Sequence, residues 1–168
     1  VQLREKKSPD AELLRLAREL RQMTREFHAR LIINDRADIA VLADADGVHV
    51  GQEDLPLDAV RKIAGTKKLV GVSTHSVNQA VAAENDGADY IGVGPVFPTE
   101  TKSYTEGLGP GCVREIRQKV SLPIIAIGGI KLDNLGQVLE TGVDGVAVCS
   151  AILAAQDIMA AARAFKET

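Results

Sequence analysis

The sequence predicts an α/β protein in which short apolar strands alternate with amphipathic helices. Seven short runs carry this prediction, because they are rich in Val and Ile and apolar on both faces, as buried parallel strands are. The runs are Val1–Leu3, Leu31–Ile33, Gly47–Val50, Lys68–Val72, Tyr90–Val93, Pro123–Ile127 and Gly145–Val148.

Helical patterns fill the stretches between these runs. The clearest starts at Ser8-Pro9-Asp10, with Ser8 as N-cap and Pro9 at the first helical position. Apolar residues then recur every three or four positions as far as Phe27, which gives one apolar stripe. Further helices are predicted at Leu57–Ala64, Val77–Asp86, Val113–Lys119, Leu132–Glu140 and Asp157–Lys166. Gly87-Ala88-Asp89 and Gly142-Val143-Asp144 each end a helix on glycine directly before a strand.

Repeated strand–helix units form either an open doubly wound sheet or a closed barrel, and the repetition itself leaves both open. A closed barrel of this kind, the (β/α)8 or TIM barrel, has eight strands. The count of seven fits a barrel whose first strand and helix are missing from a chain that begins with Val1. No linker divides the chain, so residues 1–168 are predicted to form a single (β/α)8-type barrel domain, incomplete at its N-terminus.

Composition narrows the class of protein. Apolar residues make up 45% of the 168 positions and charged residues 26%, which is typical of a globular domain. The net charge of −3 argues against a general binder of nucleic acid or anionic membranes, whose surface is basic. No apolar run approaches the ~20 residues of a membrane span. Cys112 and Cys149 form no metal-ligand pattern and are too few for a disulfide framework, which favours reduced thiols and a cytoplasmic location.

Polar side chains follow the predicted strands, at the end where both architectures bind ligands. Gln2, Arg4 and Lys6 alternate, so an extended strand places them on one face, where burial without partners is costly. Asp35 and Asp54 come after two successive strands. Each alone also fits a helix N-cap.

Together, the two aspartates and the nearby basic residues indicate a magnesium–phosphate site. Mg²⁺ takes few protein carboxylates and completes its shell with water and substrate phosphate oxygens. Lys6, Arg4 and Lys102 would neutralise the remaining phosphate charge.

A second anion site is suggested by Gly128-Gly129 and Ser150, because the last two strand ends of (β/α)8 enzymes often hold a phosphate. The glycine pair fits a tight turn equally well. His49 is predicted to be a core histidine with satisfied hydrogen bonds. His75 follows a strand and faces the predicted pocket, where a general acid or base is one reading.

These residues stand in motifs that resemble the thiamine phosphate synthase family from the first residue nearly to the last. The most specific blocks are the run ending in Gln52-Glu53-Asp54 and the Thr99-x-Thr101-Lys102 segment. The matching blocks are Gln2 to Lys6, Ile33-Asn34-Asp35, Asp46 to Asp54, Gly71-Val72-Ser73, Gly94 to Lys102, Ile127 to Ile130 and Val148 to Ile152.

The resemblance implies a Mg²⁺-dependent transferase of thiamine biosynthesis with two small-molecule substrates. Asp35 and Asp54 would hold Mg²⁺, and Lys102 and Ser73 would act in catalysis. An aminopyrimidine diphosphate would contact Gln2, Arg4, Lys6, Asn34, Ser73 and Lys102. A thiazole phosphate would contact Thr99, Thr101, Gly129, Cys149 and Ser150. Diphosphate would leave first, and the thiazole nitrogen would capture the resulting pyrimidinylmethyl cation, so no enzyme nucleophile is needed.

Three other functions compete with this one. A thiazole tautomerase with a similar barrel would keep the phosphate site and a strand-end histidine, and Asp54, Thr101 and Lys102 argue against it. A phosphate-ligand sensor would bind without turnover. A generic phosphate-binding barrel isomerase leaves the aspartate pair unexplained. A homodimer is compatible with apolar helix faces, and neither nucleic acid nor a membrane is an expected partner.

Overall fold

The computed structural model describes residues 1–99 and 106–168. Strands and helices alternate along this part of the chain. The strands are β1 Gln2–Leu3, β2 Ile32–Asn34, β3 Gly47–Val50, β4 Leu69–Thr74, β5 Tyr90–Val93, β6 Ile124–Ile127 and β7 Gly145–Ala147. The helices are α1 Asp10–Glu26, α2 Ala37–Leu42, α3 Leu57–Ala64, α4 Val77–Asn85, α5 Gly109–Arg117, α6 Leu135–Leu139, α7 Ser150–Leu153 and α8 Ile158–Glu167. None of the helices in the described ranges has the length and apolar character needed to cross a membrane.

The chain forms two compact units, Val1–Ser73 with Ala83–Tyr90, and Thr74–Ala82 with Ile91–Thr168. In the first unit, β1 pairs with β2, β2 with β3 and β3 with β4, all in parallel. Strand β3 is buried along its whole length, which explains why both of its faces are apolar apart from His49. The core of this unit includes Leu31, Ile33, Val48, Val50 and Val70.

The second unit contains the parallel pairs β5 with β6 and β6 with β7. Helix α5 covers its core with Val113 and Ile116, which lie three residues apart on one face and are fully buried. The strands contribute Ile91, Val93, Ile124 and Ala126 to this core.

Three aspartates, Asp46, Asp89 and Asp144, stand directly before strands β3, β5 and β7; we call them the strand-start aspartates. The backbone N–H of Asp89 donates to the carbonyl of Val70, and the N–H of Val70 donates back to the Asp89 carboxylate at 2.7 Å. Arg61 adds an ion pair to the same carboxylate at 2.5 Å. The arrangement recurs for Asp46 with Leu31 and Arg21, and for Asp144 with Ile124 and Arg117.

Several predicted helix boundaries are wrong. Helix α1 begins at Asp10 with Pro9 as its N-cap, so Ser8 makes no cap. Helix α5 starts at Gly109, earlier than the predicted Val113, because Pro110 in its first turn needs no donor there. Helix α6 is shorter than the predicted Leu132–Glu140. Helices α2 and α7 were not predicted, since six and four residues are too few to show a helical period.

Candidate active site

The carboxyl end of β2 brings a lysine and an aspartate together in the first unit. The ammonium of Lys6 lies 3.1 Å from a carboxylate oxygen of Asp35. Asp35 adopts a left-handed backbone conformation, with φ of 63°, directly after the strand. Aspartate tolerates this conformation better than most residues, and the Asp35 N–H donates to the His49 carbonyl at 2.8 Å. The turn therefore fixes where the carboxylate points.

Asp35 and Asp54 interact as two like charges. Partial burial raises the pKa of Asp35, the Lys6 ammonium opposes this shift, and the neighbouring Asp54 carboxylate adds to it. Asp54 also accepts a hydrogen bond from the Gly51 N–H at 2.6 Å, which closes the turn after β3. Neither aspartate is an N-cap, because α2 and α3 have Arg36 and Pro56 at that position. The alternative reading of the pair as helix caps is therefore wrong.

In the described ranges, no group of three or more His, Cys, Asp or Glu side chains could hold a metal ion. The pair of Asp35 and Asp54 would offer two carboxylates to a metal ion. Two is the number that Mg²⁺ commonly takes from a protein when substrate phosphate supplies further oxygens. A divalent cation would also relieve the repulsion between the two carboxylates.

Ser73 is held on both its side chain and its backbone. Its hydroxyl lies 2.9 Å from Nε2 of His49, and its carbonyl accepts a hydrogen bond from Gln52 at 2.6 Å. The other ring nitrogen of His49 lies 3.0 Å from the hydroxyl of Tyr90. The prediction that His49 is a buried histidine with satisfied hydrogen bonds is confirmed, since it is 8% exposed. Tyr90 was predicted as part of a strand but not as a site residue, because its link to Ser73 runs through side chains from three strands.

The remaining predicted residues of this region have plainer surroundings. Strand β1 ends at Leu3, so Arg4 and Lys6 follow the strand instead of lying along its face. Gln2, Arg4 and Lys6 are all exposed, which differs from the burial that their alternation suggested. Asn34 is the last residue of β2 and stands beside His49 in the strand register.

In the second unit, the Gly128-Gly129 pair forms a tight turn after β6. Both residues have positive φ, of 98° and 64°. A Cβ at Gly129 would come within 2.6 Å of the Pro98 carbonyl oxygen, so packing within the chain already requires glycine. The side chain of Asn134 braces this turn by donating to the Gly129 carbonyl at 3.0 Å and accepting from the Lys131 N–H at 2.8 Å.

An open groove of about 440 Å³ adjoins this turn. Its lining consists of Phe97, Pro98, Gly129, Lys131, Asp133, Asn134 and Gln137. Sequence reasoning missed Lys131 and Asn134, although both follow the glycine pair closely. Cys149 and Ser150 lie exposed at the end of β7, where Cys149 is the N-cap residue of α7. Thr99 is half-buried, whereas Thr101 and Lys102 lie outside the described residues.

His75 follows β4 and is half-buried. Its Nδ1 lies within hydrogen-bond distance of the Gly94 carbonyl oxygen, and its backbone N–H donates to the side chain of Gln79 at 2.7 Å. A carbonyl can only accept, so Nδ1 carries the proton and Nε2 is the acceptor in neutral His75.

A family profile described as thiamine monophosphate synthase matches residues 1–152. The chain belongs to this family. A thiamine-phosphate synthase of Methanospirillum hungatei JF-1 is 52% identical to it over 168 residues, which cover 99% of this chain and 82% of that protein. The predicted resemblance to this family is thereby confirmed.

Solved structures agree with this assignment. A thiamine phosphate pyrophosphorylase from Pyrococcus furiosus superposes with a TM-score of 0.93 at 42% identity, over 99% of this chain and 80% of that chain. A 3-hexulose-6-phosphate synthase superposes with a TM-score of 0.69 at 20% identity, a likeness of fold alone. The strand–helix order and these neighbours confirm the predicted (β/α)8-barrel class.

Proposed function

We propose that the chain is a thiamine-phosphate synthase, a transferase that condenses an aminopyrimidine methyl diphosphate with a thiazole phosphate. Its substrates would be 4-amino-2-methyl-5-(diphosphooxymethyl)pyrimidine and 4-methyl-5-(2-phosphooxyethyl)thiazole. Family membership and 52% identity to a relative of that name support the activity. The observation that carries the assignment to a site is the cluster of Lys6, Asp35 and Asp54 after β1, β2 and β3.

The chemistry breaks one bond and forms one. The C–O bond between the pyrimidine methylene and the diphosphate breaks, and the electron pair leaves with the diphosphate. The thiazole nitrogen then uses its lone pair to form a C–N bond to the same methylene. The products are thiamine phosphate and diphosphate. The chain's task is to bind both substrates, stabilise the leaving charge and exclude water.

The site aspartates, Asp35 and Asp54, would hold Mg²⁺, which supplies charge neutralisation at the departing diphosphate when bound. Lys6 would donate to a diphosphate oxygen, because it already lies beside the Asp35 carboxylate. Ser73, Gln2, Arg4 and Asn34 would complete the pyrimidine diphosphate site. Lys102 belongs to the same proposal on the strength of its motif.

The thiazole phosphate would bind in the second unit. Gly129, Cys149 and Ser150 stand after β6 and β7, and Thr99 and Thr101 belong to the segment after β5. The groove beside Gly129 supports this placement, since it is open and contains the cationic side chain of Lys131. Binding there would orient the thiazole nitrogen by holding its phosphate tail.

The deciding experiment incubates the protein with both substrates and Mg²⁺ and follows thiamine phosphate by chromatography. We expect turnover that needs both substrates and stops in EDTA. Full activity in EDTA would contradict the Mg²⁺ proposal while leaving the condensation standing. Conversion of the thiazole phosphate without the pyrimidine substrate would instead identify a tautomerase.

A further inference from the structure

Tyr90, His49 and Ser73 form a chain of hydrogen bonds within the first unit. The Tyr90 hydroxyl lies 3.0 Å from Nδ1 of His49, and Nε2 of His49 lies 2.9 Å from the Ser73 hydroxyl. The rings of Tyr90 and His49 also face each other with centroids 5.4 Å apart and a tilt of 38°. This chain of hydrogen bonds ends at Ser73, a residue of the proposed diphosphate site.

Glycine at position 71 makes the contact between the two rings possible. A Cβ there would come within 2.1 Å of the Tyr90 ring and within 2.5 Å of Nδ1 of His49. Gly71 lies in the middle of β4, where glycine weakens a strand. Its presence is explained by the space that the tyrosine and histidine rings occupy.

Neutral histidine carries one proton, so the chain of hydrogen bonds has two possible polarities. In the first, Tyr90 donates to Nδ1, and the N–H at Nε2 donates to Ser73. In the second, Nδ1–H donates to Tyr90, and Nε2 accepts the Ser73 proton. The two polarities present different faces of Ser73 to a ligand, because only the first leaves the serine O–H available to donate.

Chemistry favours the first polarity. The Tyr90 phenol is protonated in both polarities, because burial and the neighbouring Asp89 charge raise its pKa, so its O–H needs an acceptor. Among the described residues, Nδ1 of His49 is the one hydrogen-bond partner of this hydroxyl, and Nδ1 can accept in the first polarity alone. A diphosphate offers only acceptor oxygens, so a serine hydroxyl that could not donate would repel it.

We propose that Tyr90 and His49 are positioning residues that fix the Nε2–H tautomer of His49 and thereby turn the Ser73 hydroxyl into a donor towards the diphosphate. This inference rests on the proposed function of Ser73 as a diphosphate ligand. Tyr90 acts through His49, and His49 acts through Ser73. Neither ring needs to touch the substrate.

The tautomer is measured directly by ¹⁵N NMR of histidine-labelled protein. We expect His49 in the wild type to show protonated Nε2 and unprotonated Nδ1. We expect Tyr90→Phe, which removes only the hydroxyl, to lose this preference. His28 is exposed and follows α1, and it serves as the reference because its signals should be the same in both proteins. Protonated Nδ1 in the wild type would overturn the proposal.

Kinetics test whether the tautomer matters to Ser73. Tyr90→Phe should lower kcat about 3- to 10-fold, the effect of one misdirected hydrogen bond, with a smaller change in KM for the thiazole phosphate. The same change made in a Ser73→Ala background should not lower kcat further, because the proposed effect of Tyr90 is transmitted through the serine hydroxyl. An equal loss in both backgrounds would show that Tyr90 acts elsewhere and would overturn the proposal.

The two failures are distinguishable. A wild-type protein that makes no thiamine phosphate contradicts the proposed function, and the NMR experiment still decides the tautomer. A wild-type protein that turns over normally and loses nothing on Tyr90→Phe contradicts the positioning role alone.

Discussion

Aspartates stand both before and after the strands of this protein, and the two groups are bonded in different ways. The strand-start aspartates each accept a backbone N–H and pair with an arginine, as Asp46 does with Leu31 at 2.7 Å and Arg21 at 2.6 Å. Each site aspartate has part of this arrangement, since Asp35 pairs with Lys6 and Asp54 accepts the Gly51 N–H. The two carboxylates also lie close to each other, and the pKa of Asp35 is raised.

The difference is what we expect if aspartates before the strands serve stability and those after the strands bind a ligand, as proposed. At the strand starts, donors on the chain compensate the carboxylate charge, so the aspartate ties one strand to the next. After the strands, the charge is compensated less completely, which leaves it available to a cation. In barrels of this class, ligands bind at the carboxyl ends of the strands, while the opposite end serves stability.

The largest effect is expected from neutralising a site aspartate. Asp54→Asn keeps the size of the side chain and removes its charge, so turnover should fall by on the order of 10²-fold, as when other charge-stabilising groups are removed. Asp58→Asn is the control, because Asp58 is exposed on α3 and pairs with Lys62. Steady-state assays at saturating Mg²⁺ measure both. Equal activity of the two variants would break the comparison.

Removing a strand-start aspartate should affect stability and spare catalysis. Asp46→Ala leaves the N–H of fully buried Leu31 without its carboxylate acceptor and Arg21 without its ion pair, so it should cost about 2–3 kcal/mol. Asp46→Asn should cost less, since its amide oxygen can still accept from Leu31. Urea unfolding measures the loss, and kcat of the folded variant should match the wild type.

Asp58→Ala is the matched control for unfolding, with an expected change within about 0.5 kcal/mol. An Asp46→Ala protein that unfolds like the wild type would show that the strand-start aspartates do not stabilise the fold. A folded Asp46→Ala protein without turnover would show that the two groups of aspartates are not separate in function.

Removing the lysine beside the site aspartates should have a smaller effect. Lys6→Ala takes away the ammonium 3.1 Å from Asp35, so KM for the pyrimidine diphosphate should rise about 10-fold, the effect of one charge-assisted hydrogen bond. KM for the thiazole phosphate should change little. Lys62→Ala on α3 is the control, because its side chain is 78% exposed. An equal rise in KM for both substrates would contradict the proposal that the diphosphate and the thiazole phosphate bind at separate sites.

Much of the fold could be predicted from local sequence patterns. Strands β3 and β5 and helix α3 have the predicted bounds, because runs of β-branched residues and a clear helical stripe identify buried elements. The two glycine-ended helices before Asp89 and Asp144 were also predicted. The same helix ending before Asp46 was missed, because Asp44, with φ of 50°, stands where the other two have Gly87 and Gly142. Its sequence lacks the glycine that marks the motif.

The candidate site was predictable where its residues follow neighbouring strands, and not where distant side chains meet. Lys6 and Asp35 do come together, as their positions after β1 and β2 indicate. The Tyr90–His49–Ser73 chain was missed because it depends on the space above Gly71, which no local pattern reveals. The raised pKa of Asp35 likewise depends on burial and on Asp54, which is remote in sequence.

The last prediction concerns the stability of the metal-free protein. The pKa of Asp35 is raised in the folded state, so its contribution to stability is fully present below the ordinary aspartate pKa and is lost as pH rises through the raised value. Asp35→Asn cannot ionise, and asparagine also tolerates the left-handed backbone at this position. In EDTA at pH 7, the variant should therefore melt at a higher temperature than the wild type, and the difference should vanish near about pH 3.

Asp38→Asn gives the opposite sign and serves as the control. Hydrogen bonds from Arg36 lower the pKa of Asp38, so its contribution is present above the ordinary pKa and is lost as pH falls through the lowered value. Asp38→Asn should therefore melt below the wild type at pH 7.

Adding Mg²⁺ with inorganic diphosphate should stabilise the wild type more than Asp35→Asn, because only the wild type keeps both carboxylates for the cation. If the Asp35→Asn protein melts below the wild type in EDTA at pH 7, the Asp35 carboxylate is well compensated by Lys6, and the contrast with the strand-start aspartates fails.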